Sequence, residues 1–157
     1  MVGRWLAVLG TVLLLATGAW AKSCPAWPDE KPVALMVFLN GPLGRTRFYH
    51  APGRPSIRQA VCTIAPDTYC IAFVDTTKPH VFSAVTYYRN SNLTISTGGE
   101  VWLQPGHIYT MHPPGQGPSN PLLDHGVYHR DRELADVVRH LTFGKLHGAG
   151  FCKVPVL

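Results

Sequence analysis

Fourteen prolines and fifteen glycines are spread along this chain, and they constrain its fold more than any other feature. Proline removes a backbone donor and ends helices and central strands, while glycine favours turns. What remains between them is mostly of strand length. Val33-Ala-Leu-Met-Val-Phe-Leu39 is a continuous apolar run stopped by Asn40-Gly41-Pro42, and it predicts a buried strand. A basic, proline-containing loop is expected from Gly44 to Pro55. Ser56 to Ile64 is expected to hold one short helical turn with Ser56 as its cap. Tyr69–Val74 and His80–Tyr88 are β-rich and flank the turn sequence Asp75-Thr-Thr-Lys-Pro79, which predicts a hairpin. Leu93–Ser96 and Glu100–Gln104, separated by Thr97-Gly98-Gly99, predict a second hairpin. Pro105-Gly106 then leads into His107–Met111. Residues 69–111 thus predict a β-meander of about five short strands.

Pro113–Pro121 is rich in proline, glycine, serine and asparagine and predicts a mobile loop. Beyond it, Leu134, Val137, Val138 and Leu141 recur at helical spacing. Asp131 and Glu133 favour a helix start, and Gly144, Gly148 and Gly150 follow its end, so Asp131–Leu141 predicts the one helix. The expected fold class is mainly β (α+β): a small disulfide-bonded secreted β-domain with one C-terminal helix.

Secretion is expected from residues 1–21. Arg4 supplies a basic start, Trp5–Thr17 an apolar run, and Ala19-Trp20-Ala21 a small-x-small cleavage site, which is the pattern of a secretory signal peptide. The mature chain then begins near Lys22 and forms a single domain over 22–157, enough for one modest core. All four cysteines, Cys24, Cys62, Cys70 and Cys152, lie in that part. An even count in an oxidising compartment predicts two disulfides, and spacing leaves all three pairings open. Asn92-Leu93-Thr94 is an N-glycosylation sequon, so Asn92 is expected to be exposed and modified.

The balance is basic, +5 before loss of Arg4. Arg45, Arg47, Arg54 and Arg58 cluster in one stretch and are candidate contacts to an acidic partner or glycan. No nucleic acid is expected in this compartment. Catalytic signatures are missing from the sequence. There is no G-x-S-x-G, the nine Asp and Glu residues show no buried pair, and the thiols are expected in disulfides. Eight histidines invite a metal, but His125 and His129 lack the glutamate of H-E-x-x-H, and His107 and His112 are spaced for opposite strand faces. The expectation is no catalytic residue, no metal and no cofactor. Tyr87, Tyr88, Trp102, Tyr109 and Phe143 are core candidates by default, and any that face outward suit a protein interface.

Several stretches, read in order, resemble a family of cytomegalovirus envelope glycoproteins. These are the subunits that join the glycoprotein H–glycoprotein L heterodimer in the pentameric complex through which the virus enters cells, with a chemokine-like N-terminal part and a C-terminal β-domain. Ser23-Cys24-Pro25 and Cys62 look like the family's first two cysteines. Val85-Thr-Tyr-Tyr88 with Asn92-Leu-Thr-Ile95 is similar to its aromatic strand and glycosylation site. Gly99–Leu103 and His107–Pro114 look like the next strand pair, and Arg130-Asp131, Leu141-Thr-Phe143 and Phe151–Pro155 follow in the same order as its end. The resemblance covers most of residues 85–157 and is faint before that. A family cysteine upstream of the last one has no counterpart here, and Cys70 is additional. The family also has β-structure where Asp131–Leu141 reads as helix.

The resemblance implies a chemokine-like part over 22–66, a β-rich part over 67–157 and a Cys24–Cys62 pair. It also implies a non-catalytic subunit bound to a glycoprotein H/glycoprotein L pair, reaching the membrane only through partners, that contributes to receptor binding and cell tropism. A free secreted immune modulator, glycoprotein L itself and a small secreted enzyme are the rival expectations.

Overall fold

The computed structural model describes residues 32–52, 58–128, 136, 140–141 and 156–157. Eight strands follow one another: β1 (Val33–Leu39), β2 (Arg45–Pro52), β3 (Gln59–Ile64), β4 (Tyr69–Asp75), β5 (His80–Tyr88), β6 (Ser91–Ser96), β7 (His107–Met111) and β8 (Leu122–Val127). They form two four-stranded sheets. Sheet A has the order β4-β1-β7-β8 and sheet B the order β3-β2-β5-β6. All neighbours are antiparallel except β1 and β7, which are parallel. The protein is therefore mainly β, with a disulfide, as its sequence predicts.

Side-chain alternation builds the core. From sheet A, Ala34, Met36, Phe38, Ala72, Val74 and Met111 meet Phe48, Ile64, Phe82 and Ala84 of sheet B. Phe38 anchors the layer, with ring centroids 5.0 Å from Phe48 and 6.1 Å from Phe82. The opposite face of sheet A is apolar too. Val33, Leu35, Val37, Ile71, Phe73 and Ile108 form a second cluster, against which Leu141 packs. β1 is thus buried on both faces, which explains why it is an unbroken apolar run rather than an alternating one. Asp136, His140 and Leu141 are helical; the rest of the predicted helix lies outside the described residues.

Several local expectations are corrected. Arg45–Pro52 is a strand, not a loop, and Gln59–Ile64 is a strand, not a helical turn. Tyr69–Asp75 and His80–Tyr88 do not form a hairpin, because the Asp75–His80 turn carries the chain from sheet A to sheet B. Of the predicted strand Glu100–Gln104 only Val101 pairs, in a single bridge to His80. The tight hairpin in this part of the chain is β5–β6, closed by Arg89 and Asn90, with Arg89 at φ 48°. β8 is a further strand that the sequence does not announce. Pro113–Pro121 is a loop, although Pro113, Pro114 and Pro121 are buried. β1, β2 and β3 of the expected N-terminal part are built into the same two sheets as β4–β8.

The disulfide joins Cys62 to Cys70, Cα–Cα 6.8 Å. This overturns the Cys24–Cys62 pair that the resemblance implies. β3 and β4 are the edge strands of different sheets, and the short turn between them brings the two thiols together across one open side of the sandwich. Cys24 and Cys152 lie outside the described residues, as does the predicted signal peptide. No helix among the described residues is long and apolar enough to cross a membrane.

Asn40 fixes that same end. Its amide donates to the carbonyls of Gly44 (2.8 Å), Ala65 (2.8 Å) and Ile64 (3.3 Å), tying the β1–β2 and β3–β4 turns together. Its Oδ1 accepts from Thr46 Oγ1 at 2.7 Å, which leaves Thr86 Oγ1 to donate to Thr46 at 2.8 Å. Each buried polar group here has a partner, as burial requires. Gly44 is needed because a Cβ there would run into the Tyr87 carbonyl oxygen.

Candidate functional site

The alternation that sends Thr46, Phe48 and His50 between the sheets sends Arg45, Arg47 and Tyr49 to the outer face of sheet B. Register completes that face. Tyr87 and then Asn92 lie beside Arg45, and Val85 and Thr94 lie beside Arg47. The Arg45 guanidinium sits 5.7 Å from the centroid of the Tyr87 ring. Arg47 Nε donates to Thr63 Oγ1 at 3.0 Å. A hydrogen bond with Tyr49 raises the Tyr87 phenol above its ordinary range. At the β5–β6 hairpin Arg89 repeats the motif, 5.2 Å above the Tyr88 ring.

The residues that register places on this face include no carboxylate. Two planar guanidiniums, one held by stacking and one by a hydroxyl, offer forked N–H groups suited to carboxylate or sulfate oxygens. The adjoining tyrosines supply rigid amphipathic area of the kind found at protein interfaces. Asn92 is exposed at the margin of this face, with Thr94 exposed two residues on, so the sequon is presented to solvent.

Of the four arginines singled out from sequence, the structure brings Arg45 and Arg47 together. Arg58 is exposed just before β3, and Arg54 lies outside the described residues. Tyr49 and Tyr87 are the members that the sequence analysis did not assign to the site. Their signal was the alternation Arg45-x-Arg47-x-Tyr49, hidden because the segment read as a loop. Among the aromatics, Tyr109 is core, Tyr87 and Tyr88 are half-buried, Trp102 is 63% exposed, and Phe143 lies outside the described residues.

The histidines fall into two groups. His50 and His80 are buried at the end of sheet B, with Nε2 of His50 2.6 Å from Nδ1 of His80. His80 Nε2 lies 2.5 Å from the Asp75 carbonyl oxygen and must donate to it. His80 Nδ1 is then an acceptor, and His50 Nε2–H is its donor. Burial, with the neighbouring His80 and Lys78, pushes His50 down to about 4. Burial lowers His80 as well, opposed by its bond to the Asp75 carbonyl. Both are neutral at pH 7.

On β7 and β8, Thr110 Oγ1 lies 2.8 Å from His125 Nε2 and 3.4 Å from His112 Nε2. Burial lowers both histidines. Thr110 is only 1% exposed, so its hydroxyl is not presented to a substrate. His107 Nδ1 sits 3.0 Å from Asp124. Burial raises the Asp124 carboxyl, but the Gly126 amide, His107 and Tyr109 outweigh it and hold the carboxyl below its ordinary value. Among the described residues no group of three or more His, Cys, Asp or Glu is placed to hold a metal ion. His129 lies outside the described residues, and His125 is on a strand rather than a helical face.

No family model matches this sequence, and no curated protein matches it either.

Proposed function

We propose that this chain is a non-catalytic secretory-pathway glycoprotein that works by binding. Its docking surface is the outer face of sheet B, centred on Arg45, Arg47, Tyr49 and Tyr87. One observation carries the reading: a folded face, free of carboxylates among the described residues, on which stacked or tethered guanidiniums stand beside tyrosines. Such a face suits an acidic partner surface, with tyrosines at its centre and arginines steering approach. The resemblance over residues 85–157 supports a specific partner, a glycoprotein H/glycoprotein L pair. The complex would be held on an envelope through those partners and would contribute to receptor choice and cell tropism.

The test is co-expression of the tagged chain with a herpesvirus glycoprotein H–glycoprotein L pair, followed by affinity capture and mass spectrometry. The double reversal Arg45→Glu/Arg47→Glu is expected to weaken capture by about tenfold or more and to flatten its salt dependence. Capture that ignores the reversal removes the assigned face. Efficient secretion with no capture by the pair transfers the reading to a free secreted immune modulator.

A further inference from the structure

We propose that β6 pairs with β6 of a second copy of this chain, antiparallel about a two-fold axis at Thr94, joining two copies of sheet B into one eight-stranded sheet. This inference does not rest on the glycoprotein H/glycoprotein L reading.

Each sheet has two edges, and three of the four are managed. β4 is covered by Val156 and Leu157: the Leu157 N–H donates to the Phe73 carbonyl at 2.8 Å, and the Leu157 carbonyl accepts from the Asp75 N–H at 3.0 Å. β3 is tied down by the disulfide, and its register breaks between Phe48 and Tyr49. β8 breaks register between His107 and Tyr109, carries Asp124 and His125, and has Gly126 at φ 83°. Bulges, charges and covering segments are the usual protections of an edge. Among the described residues β6 has none of them. Its six residues, Ser-Asn-Leu-Thr-Ile-Ser, pair with β5 without a break, include no charge and no proline, and are exposed but for half-buried Ile95.

The chemistry of β6 selects its own copy as occupant. Leu93 and Ile95 pair with Thr86 and Ala84, which point between the sheets, yet Leu93 remains 38% exposed. Directly paired antiparallel residues share a face, so a β6–β6 pairing must centre on a residue rather than between two. Centred on Thr94, it sets Leu93 against Ile95 of the other copy, twice, on the apolar side. On the outer side Asn92 meets the small Ser96, which leaves room for a glycan directed away from the sheet.

The flanks are complementary as well. Exposed Arg89 precedes β6, and exposed Glu100 follows it. Val101 continues the same edge, held to His80 by bonds of 2.8 and 3.0 Å. The two-fold at Thr94 brings Arg89 of each copy beside Glu100 of the other, and carries exposed Trp102 toward the opposite hairpin. Arg89 keeps φ 48°, a conformation that glycine or asparagine adopts more readily.

Sedimentation of the secreted, glycosylated protein over a micromolar concentration series tests this. The expected result is a reversible dimer. Leu93→Lys leaves the sequon intact and is expected to weaken dimerisation about tenfold by charging the edge. Arg89→Glu and Glu100→Arg are each expected to weaken it about fivefold, and the double reversal to restore it, because each faces the other across the axis. Circular dichroism confirms that each variant is folded. A monomer throughout the series overturns the proposal. So does a dimer indifferent to Leu93→Lys, or single reversals that the double does not rescue. Protection of β6 amides that appears only with a foreign partner chain would assign the edge to that partner and equally overturn it.

Discussion

Acid should unfold this protein through the His50–His80 pair. The pair is buried against Phe82, with His50 tilted at 5.4 Å and His80 stacked at 5.9 Å between centroids, and its hydrogen-bond chain ends on a backbone carbonyl. Lys78 and Asp75 are the charged groups that act on it, and Asp75 is itself engaged by Thr77, whose hydroxyl and amide hold its carboxyl below the ordinary value. His50 falls from an ordinary value of 6.5 to about 4 on folding. The unfolded chain therefore takes up this proton first as pH falls. Stability is full above pH 6.5, declines between 6.5 and 4, and has lost its whole contribution below 4. At about 1.36 kcal/mol per pH unit, the loss from His50 alone is about 2 kcal/mol at pH 5 and about 3 kcal/mol below pH 4. His80, His112 and His125 are lowered in the same direction and steepen the decline. Urea unfolding at a series of pH values between 7.5 and 4.5, with disulfides intact, measures it. His50→Phe keeps the stack but removes the donor to His80, so it should cost about 1–2 kcal/mol at pH 7.5. Its pH slope should be shallower, and the two curves should converge near pH 5. A wild-type curve flat over this range, or a His50→Phe curve with the wild-type slope, would refute the reasoning.

Three other outcomes follow from the same structure. Non-reducing peptide mapping should recover a Cys62–Cys70 linked peptide, and Cys62→Ala/Cys70→Ala should cost about 2–3 kcal/mol by loop-closure entropy; a Cys24–Cys62 peptide would contradict it. Peptide-N-glycosidase should lower the apparent mass of the protein expressed in a eukaryotic host and leave Thr94→Ala unchanged, whereas no shift in the wild type would mean that Asn92 is bare. Asn40→Ala should lower stability by about 3 kcal/mol in urea, because it strands the turn carbonyls and the Thr46 hydroxyl; a change under about 1 kcal/mol would show that water replaces the amide readily.

Two of the strands that the sequence announced, β1 and β4, have a nearly uniform environment. β1 is buried on both faces, and β4 has an apolar centre, so neither needs a periodic pattern to be recognised. β2 was missed because its inward positions are Thr46, Phe48 and His50, polar in two cases out of three. Their burial is compensated by Asn40, across the β1–β2 turn, and by Thr86 and His80, both far off in sequence. β8 was missed because an edge strand with a bulge loses its period at the bulge, here at Gly126. The pairings themselves, above all parallel β1–β7 and the passage of the chain between sheets at Asp75–His80, depend on contacts that no local window contains.

Two members of the candidate face were nevertheless within reach, and β2 shows why they and the core stand or fall together. Once Phe48 is assigned to the interior, period two leaves Arg45, Arg47 and Tyr49 no choice but the outer face. A one-residue slip would bury both guanidiniums and expose Phe48 and His50, a loss far beyond what any surface contact could offset. The Asn40–Thr46–Thr86 network at one end of β2 and the His50–His80 pair at the other fix that register from inside. The buried polar groups thus do not serve only as satisfied exceptions in an apolar core. They determine which side of sheet B carries the arginines, and so tie the geometry of the candidate face to groups buried beneath it.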